Sequence, residues 1–166
     1  VFYFHAVQFG IANKISDLFL KKSDATENKS VTKANSFKIW LRNIFLGIDI
    51  CRFGKLVKKL EKKNYDYILT DRYFYDSIVN INYLENKESK IFAEKFILKP
   101  DIAIYLEADP ENIMKRERKP DQGMEYLKKK KEILDKKSIE WNLKIIDGSR
   151  SQEEVFEEIK RSQGFA

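Results

Sequence analysis

The segment Tyr67-Ile68-Leu69-Thr70-Asp71-Arg72-Tyr73 sets a carboxylate and a guanidinium side by side at the end of a short apolar run. That run, Tyr65 to Thr70, suits a parallel strand buried on both faces. In open parallel sheets, ligands bind beyond the carboxyl ends of the strands. A carboxylate placed there can hold Mg²⁺, usually through waters, and a guanidinium can grip phosphate oxygens bidentately. The structural alternative is that Asp71 caps the next helix and pairs with Arg72. Arg116 and Arg118 precede the turn Pro120-Asp121-Gln122-Gly123. On their own they fit a solvated helix face with Lys115 and Lys119. His5, the single histidine, sits at a strand end. It could touch a substrate, although a lone histidine is more often a hydrogen-bonded structural residue. Phe37, Trp40 and Phe45 could stack a base, but their helical spacing points to the core. The lone cysteine, Cys51, lacks any zinc-binding or catalytic partner pattern.

These residues need a scaffold, and the pattern of apolar positions supplies one. Val1–His5 reads as a buried strand, and Phe9–Leu20 has helical spacing. Lys21–Asn35 is polar and reads as a loop. From Phe37 to Leu60 apolar residues recur at three- and four-residue steps, a long helix that Gly47 or Gly54 would bend or break. After the strand ending at Thr70, Tyr73–Leu98 is helical and Pro100 stops it. Asp101–Leu106 is a second buried strand. Asp109 followed by Pro110 starts a helix, and Gly123–Lys137 is another. Leu143–Ile146 is a strand closing on Asp147-Gly148. Ser151 and Glu154 form a capping box for a last helix that packs through Val155, Phe156 and Ile159. Strands alternate with helices throughout, so the fold class is α/β: a parallel sheet with flanking helices, in one domain over 1–166.

Composition narrows the function classes. Hydrophobic residues make up 43% of 166 residues, enough for one folded core. The net charge is +6. Most lysines, such as Lys58, Lys59, Lys62, Lys63 and Lys128–Lys131, fall at exposed helical positions without interleaved aromatics. That favours a solvated face over a nucleic-acid interface. No apolar run reaches the roughly 18 residues of a membrane span. The single cysteine fits a reducing, cytoplasmic setting.

The order of motifs resembles the thymidylate kinase family of nucleotide kinases. Asp71-Arg72-Tyr73 is similar to its Asp-Arg-Tyr signature. Lys99-Pro100-Asp101 to Leu106 resembles its Pro-Asp strand, and Asp109-Pro110-Glu111 with Arg116 and Arg118 resembles the helix leading into its lid. Ile145 to Val155 resembles its final strand and adenine-side loop. The likeness covers about Asp49 to Ile159. It implies a P-loop NTPase fold, with ATP and Mg²⁺ as cofactors and a nucleotide such as dTMP as acceptor. Arg72 would bind the acceptor phosphate, and Asp71 would position Mg²⁺ or the attacking phosphate. Arg116 and Arg118 would close over ATP, while Gly148 and Ser149 would lie beside adenine through backbone groups. Tyr73, Asp76, Asp49 and Arg52 would line the acceptor site. A homodimer stays open.

There are departures. His5 to Gly10 stands where the family has a Glu-Pro-Gly-Gly-type segment. Asp76 replaces a serine, the aromatic expected near Asn80 is missing, and the arginine expected just after Asp49 is absent, with Arg52 close by. These put dTMP in question as the acceptor. No Gly-x-x-x-x-Gly-Lys-Ser/Thr loop occurs; Gly47 to Gly54-Lys55 has the wrong spacing. The resemblance implies that this loop and its central strand belong before Val1. By itself the chain is then expected to be inactive and a weak folder. A deoxynucleoside kinase and a degenerate, non-catalytic binding module are the competing readings.

Overall fold

The structure, a computed structural model, describes residues 1–11, 36–86, 90–117 and 120–162. They divide into two compact units, Val1–Lys99 and Pro100–Ala166. Each is built on one pair of parallel strands.

In the first unit, strand β1 (Phe2–His5) lies parallel to β2 (Ile68–Asp71), in a register that sets His5 opposite Asp71. Alternation along β1 separates two faces. Phe4 turns into an aromatic cluster, its ring centroid 5.1 Å from Phe9, 4.6 Å from Phe53 and 6.4 Å from Phe74. Tyr3 and its partner Leu69 belong to the other face and are 77% and 51% exposed. The expectation that β2 is buried on both faces therefore fails. The helices carrying Phe53 and Phe74 cover the face that bears Phe4, and among the described residues of this unit no helix covers the other.

A short helix α1 (Ala6–Phe9) follows β1 directly; the rest of the expected Phe9–Leu20 helix and the Lys21–Asn35 loop lie outside the described residues. Helix α2 (Ser36–Glu61) runs unbroken through Gly47 and Gly54. A glycine inside a helix costs about 0.5–1 kcal/mol against alanine. Both glycines face the segment after the next helix, near Ala93 and Leu98, and the helix continues through them. Leu46, Ile50, Phe53 and Leu60 form its buried stripe. Phe37 and Trp40 are not core: they stack on each other at 5.8 Å and are exposed, while Phe45 is half-buried.

The helix expected over Tyr73–Leu98 is interrupted. Helix α3 (Phe74–Glu85) ends at Asn86, which takes the left-handed conformation (φ 53°) and donates its N–H to the Tyr83 carbonyl. Asparagine tolerates that conformation and so makes a natural stop. A separate 3₁₀ helix then spans Phe92–Phe96.

In the second unit, β3 (Ile104–Glu107) pairs in parallel with β4 (Lys144–Asp147). Asp109 caps helix α4 (Pro110–Met114) by accepting the Glu111 N–H at 2.7 Å, with Pro110 in the first turn. Helix α5 spans Gly123–Glu140. The capping box forms as expected: the Ser151 N–H reaches the Glu154 carboxylate at 3.0 Å, and the Glu154 N–H reaches Ser151 Oγ at 3.2 Å. It opens helix α6 (Gln152–Ser162). Val155 and Ile159 are half-buried there. Phe156 is exposed instead of packed, with the Lys160 ammonium 5.1 Å above its ring. The α/β class is as read from the sequence; the four described strands form two parallel pairs, one in each unit.

Candidate functional site

Asp71 is the last residue of β2, and its side chain is 77% exposed. It does not cap α3. Tyr73 holds the N-cap position, without a side-chain cap bond. The neighbour of Asp71 is His5, whose Nε2 lies 3.4 Å from Asp71 Oδ2. The register explains this contact, because the two residues end adjacent parallel strands.

Arg72 turns the chain between β2 and α3 in a left-handed conformation, φ 56°. Four described non-glycine residues have positive φ; the other three are Asn64, Asn86 and Asn142. Asparagine visits this region readily, whereas a residue such as arginine is strained there by roughly 1–3 kcal/mol. Strain of this kind clusters at binding sites. The Arg72 guanidinium is 58% exposed and lies 3.8 Å from Asp76 Oδ2, too far for a firm hydrogen bond. Asp76 also accepts from the Asn80 side-chain amide at 3.3 Å. Arg72 thus stands beside Asp71 with most of its donor fork turned to solvent.

The other residues expected to line the acceptor site have structural work. Tyr73 donates its hydroxyl to the Leu98 carbonyl at 2.5 Å, tying the start of α3 to the segment after the 3₁₀ helix. Burial, reinforced by neighbouring Tyr75, pushes this phenol well up. Asp49 is buried, with a side chain only 6% exposed. One of its oxygens accepts the Ile11 N–H at 2.8 Å and the other accepts from Arg52 at 2.5 Å. Arg52 also donates to the Phe9 carbonyl and lies 4.3 Å over the Phe9 ring. The pair clamps the chain where it leaves α1.

In the second unit, Arg116 is exposed just past α4, and Arg118 lies outside the described residues. Gly148 donates its N–H to the Glu107 carbonyl at 2.7 Å; a Cβ there would sit 3.1 Å from that oxygen. Ser149 gives both its N–H and its hydroxyl to Asp147, holding that carboxyl below its usual range, with Arg150 adding to the effect. The donors of this turn are therefore occupied, so any adenine contact there falls to carbonyl oxygens. Beside it stands a network the sequence did not reveal. Lys131 from α5 bridges Glu107 and Asp135, and Tyr105 donates to Asp135 at 3.3 Å. Desolvation works against the Lys131 ammonium, but its bonds to Asp135 and Glu107 outweigh it and raise its pKa.

Among the described residues no cluster of three metal-ligating side chains exists. An exposed single carboxylate does fit a Mg²⁺ carried on nucleotide phosphates, which usually keeps waters and one or two protein carboxylates. No helix among the described residues is long and apolar enough to cross a membrane.

A search of curated proteins finds no match to the chain. The family model described as thymidylate kinase matches residues 49–159. That stretch opens on the buried Asp49, passes through the strained Asp71–Arg72 corner and the Asp109 cap, and ends in α6, and by this match the chain belongs to the thymidylate kinase family.

Proposed function

We propose that this protein, in its full-length form, transfers a phosphoryl group from ATP to a nucleoside monophosphate such as dTMP. Nucleotide-kinase-like function and a nucleotide substrate follow from the family, which generally uses ATP and Mg²⁺. The observation that carries the finer reading is the corner at the end of β2: an exposed carboxylate followed by a guanidinium in a left-handed backbone conformation. Arg72 binds the acceptor phosphate. Asp71 would hold Mg²⁺, through water, or position the attacking phosphate, whose oxygen bonds to the γ-phosphorus as the bond to ADP breaks. Phosphoryl transfer of this kind depends on positioning and charge neutralisation. Arg116 and Arg118 supply further positive charge to the transferred group, and the Gly148-Ser149 turn lies on the adenine side.

The clamp formed by Asp49 and Arg52 supports an indirect role for both: they hold the end of α1 near the acceptor side without touching the phosphate. Asp76 and Tyr73 set the Arg72 side chain and the start of α3. Residues 1–166 belong to a single kinase-like domain, without its first strand and phosphate loop, in a cytoplasmic setting. The exposed row Trp40, Ile44 and Ile48 on α2 supports a homodimer. Transfer from ATP is to be compared with dTMP and with thymidine as acceptors. Product from dTMP alone supports the reading, and product from thymidine alone makes the protein a deoxynucleoside kinase. Nucleotide binding without either product makes it a binding module.

A further inference from the structure

The imidazole at the end of β1 has a place in this site that the family signature does not give it. His5 and Asp71 end adjacent parallel strands in direct register, with Nε2 3.4 Å from Oδ2. The other ring nitrogen, Nδ1, is buried and has no hydrogen-bond partner among the described residues. The neutral ring can carry its proton on either nitrogen. A proton on Nδ1 would leave a buried donor unpaired and two lone pairs, on Nε2 and the carboxylate, facing each other. A proton on Nε2 points a donor at the carboxylate.

We propose that His5 is a positioning residue for Asp71: its Nε2–H holds one carboxylate oxygen, Oδ2, and so fixes the direction in which Oδ1 is offered to the metal. The proposal rests on the assignment of Asp71 to the metal. Asp71 needs such a partner because its side chain is 77% exposed and would otherwise rotate among several positions. The flanking cation, Arg72, leans toward Asp76 instead. A contact of 3.4 Å is long for a nitrogen–oxygen hydrogen bond; bonds of this kind commonly tighten when the site is loaded.

His5 is the single histidine of this sequence, and its ring signals in the full-length protein are identified by their loss in His5→Gln. Long-range ¹H–¹⁵N spectra of the full-length protein at pH 7.5 should show the Nε2–H tautomer. A ring protonated on Nδ1 instead overturns the proposal. The second arm uses Mg²⁺ titrations of turnover in the variants His5→Phe, His5→Gln, His5→Asn and Asp71→Asn. Loss of a metal-supporting partner typically weakens metal affinity or activity ~10–100-fold, so His5→Phe should raise the half-saturating Mg²⁺ by at least ~10-fold and leave KM for both nucleotides unchanged. Glutamine places its amide nitrogen where Nε2 stands and should restore the wild-type value; asparagine, which mimics Nδ1, should not. If Asp71→Asn shifts the Mg²⁺ requirement and His5→Phe does not, the proposal alone falls. If Asp71→Asn shifts nothing, the assignment of Asp71 falls and the proposal with it.

Discussion

Two strand pairs end in acidic residues, and the two ends are finished differently. At the end of β4, Asp147 accepts two bonds from Ser149 and Glu107 is taken by Lys131. At the end of β2, among the described residues, Asp71 makes only the long contact to His5, and Arg72 only a 3.8 Å approach to Asp76. Position at a carboxyl strand end is thus shared; the residues next in the chain decide how the acid is used. After Asp147 come Gly148 and Ser149, whose donors turn back and close the carboxylate. After Asp71 comes an arginine in a left-handed conformation, so the chain turns away without spending a donor on the acid. Charge that is already compensated serves the fold, and charge left open can serve a ligand.

The sharpest test of this difference is Arg72→Ala against Asp147→Asn. Removing one partner of a desolvated, charge-assisted pair costs about 2–5 kcal/mol. Arg72→Ala should weaken acceptor binding or turnover by that amount while leaving the thermal midpoint nearly unchanged, because its side chain is exposed. Asp147→Asn should do the reverse, with little change in turnover and a small loss of stability at neutral pH. The sign comes from linkage. A carboxyl held below its usual range contributes stability above its unfolded pKa, and that contribution is lost as pH falls through the folded value. Steady-state kinetics and thermal melts of both variants decide it. Equal kinetic losses would erase the distinction.

A second test asks whether the Asp49–Arg52 clamp belongs to the fold, as the Lys131 network does, or to the ligand. Arg52→Ala strands a buried carboxylate. A fully buried pair broken this way costs about 3–5 kcal/mol, and the half-exposed Arg52 side chain lowers the expectation to roughly 2–3 kcal/mol. The loss should appear in the urea midpoint and as faster amide exchange at Ile11, whose N–H Asp49 accepts. Unchanged stability with a selective rise in acceptor KM would instead make Arg52 a direct substrate contact.

What could be read from the chain divides along the same line. Features written in contiguous residues came through: the Asp109-Pro110 helix start, the Ser151/Glu154 box, the strand ending at Asp71 and the parallel α/β class. Features set by register or by side-chain reach did not. The contact of His5 with Asp71 depends on how β1 slides against β2, and one strand's sequence carries no register. Lys131 falls in a run of four lysines, and nothing local marks it as the one that spans from α5 to Glu107. Exposure was the poorest inference: Phe37, Trp40 and Phe156 recur at helical spacing, yet spacing says which residues share a face and not whether that face is covered.

A smaller effect is expected at the capping box. Ser151→Ala removes the acceptor for the Glu154 N–H and should cost about 1 kcal/mol. Separately, the Ser151 hydroxyl and backbone N–H lower the Glu154 pKa, with help from Arg150, so the part of the contribution carried by the hydroxyl should fade as pH falls below the usual carboxylate range. Chemical denaturation at pH 7 and pH 3.5 checks both points. A loss that is the same at the two pH values would mean the box acts through the serine alone.

The smallest effect at neutral pH, and the one most specific to the closed end, belongs to Tyr105. Its hydroxyl donates to a half-exposed Asp135 at 3.3 Å, so Tyr105→Phe should cost under about 1 kcal/mol at pH 7.5. Alkali changes that. Burial first, then the Asp135 charge, pushes the phenol from 10.0 up to about 12. Between those values the unfolded chain gives up its Tyr105 proton before the folded one does. The unfolded state then binds fewer protons, and stability falls as pH rises through this window. Solvent screening at this partly exposed group limits the loss to roughly 1 kcal/mol. Phenylalanine cannot ionise, so the variant lacks this component of the decline while keeping that of other tyrosines. Trp141 fluorescence in a Trp40→Phe background tracks the second unit through urea denaturation at pH 7.5 and pH 11. The gap between Tyr105→Phe and its parent should shrink or reverse at the higher pH. A gap that stays constant would show that Tyr105 ionises alike in both states. The network around Lys131 would then be open to solvent after all, and the contrast between the two strand ends would lose its electrostatic basis.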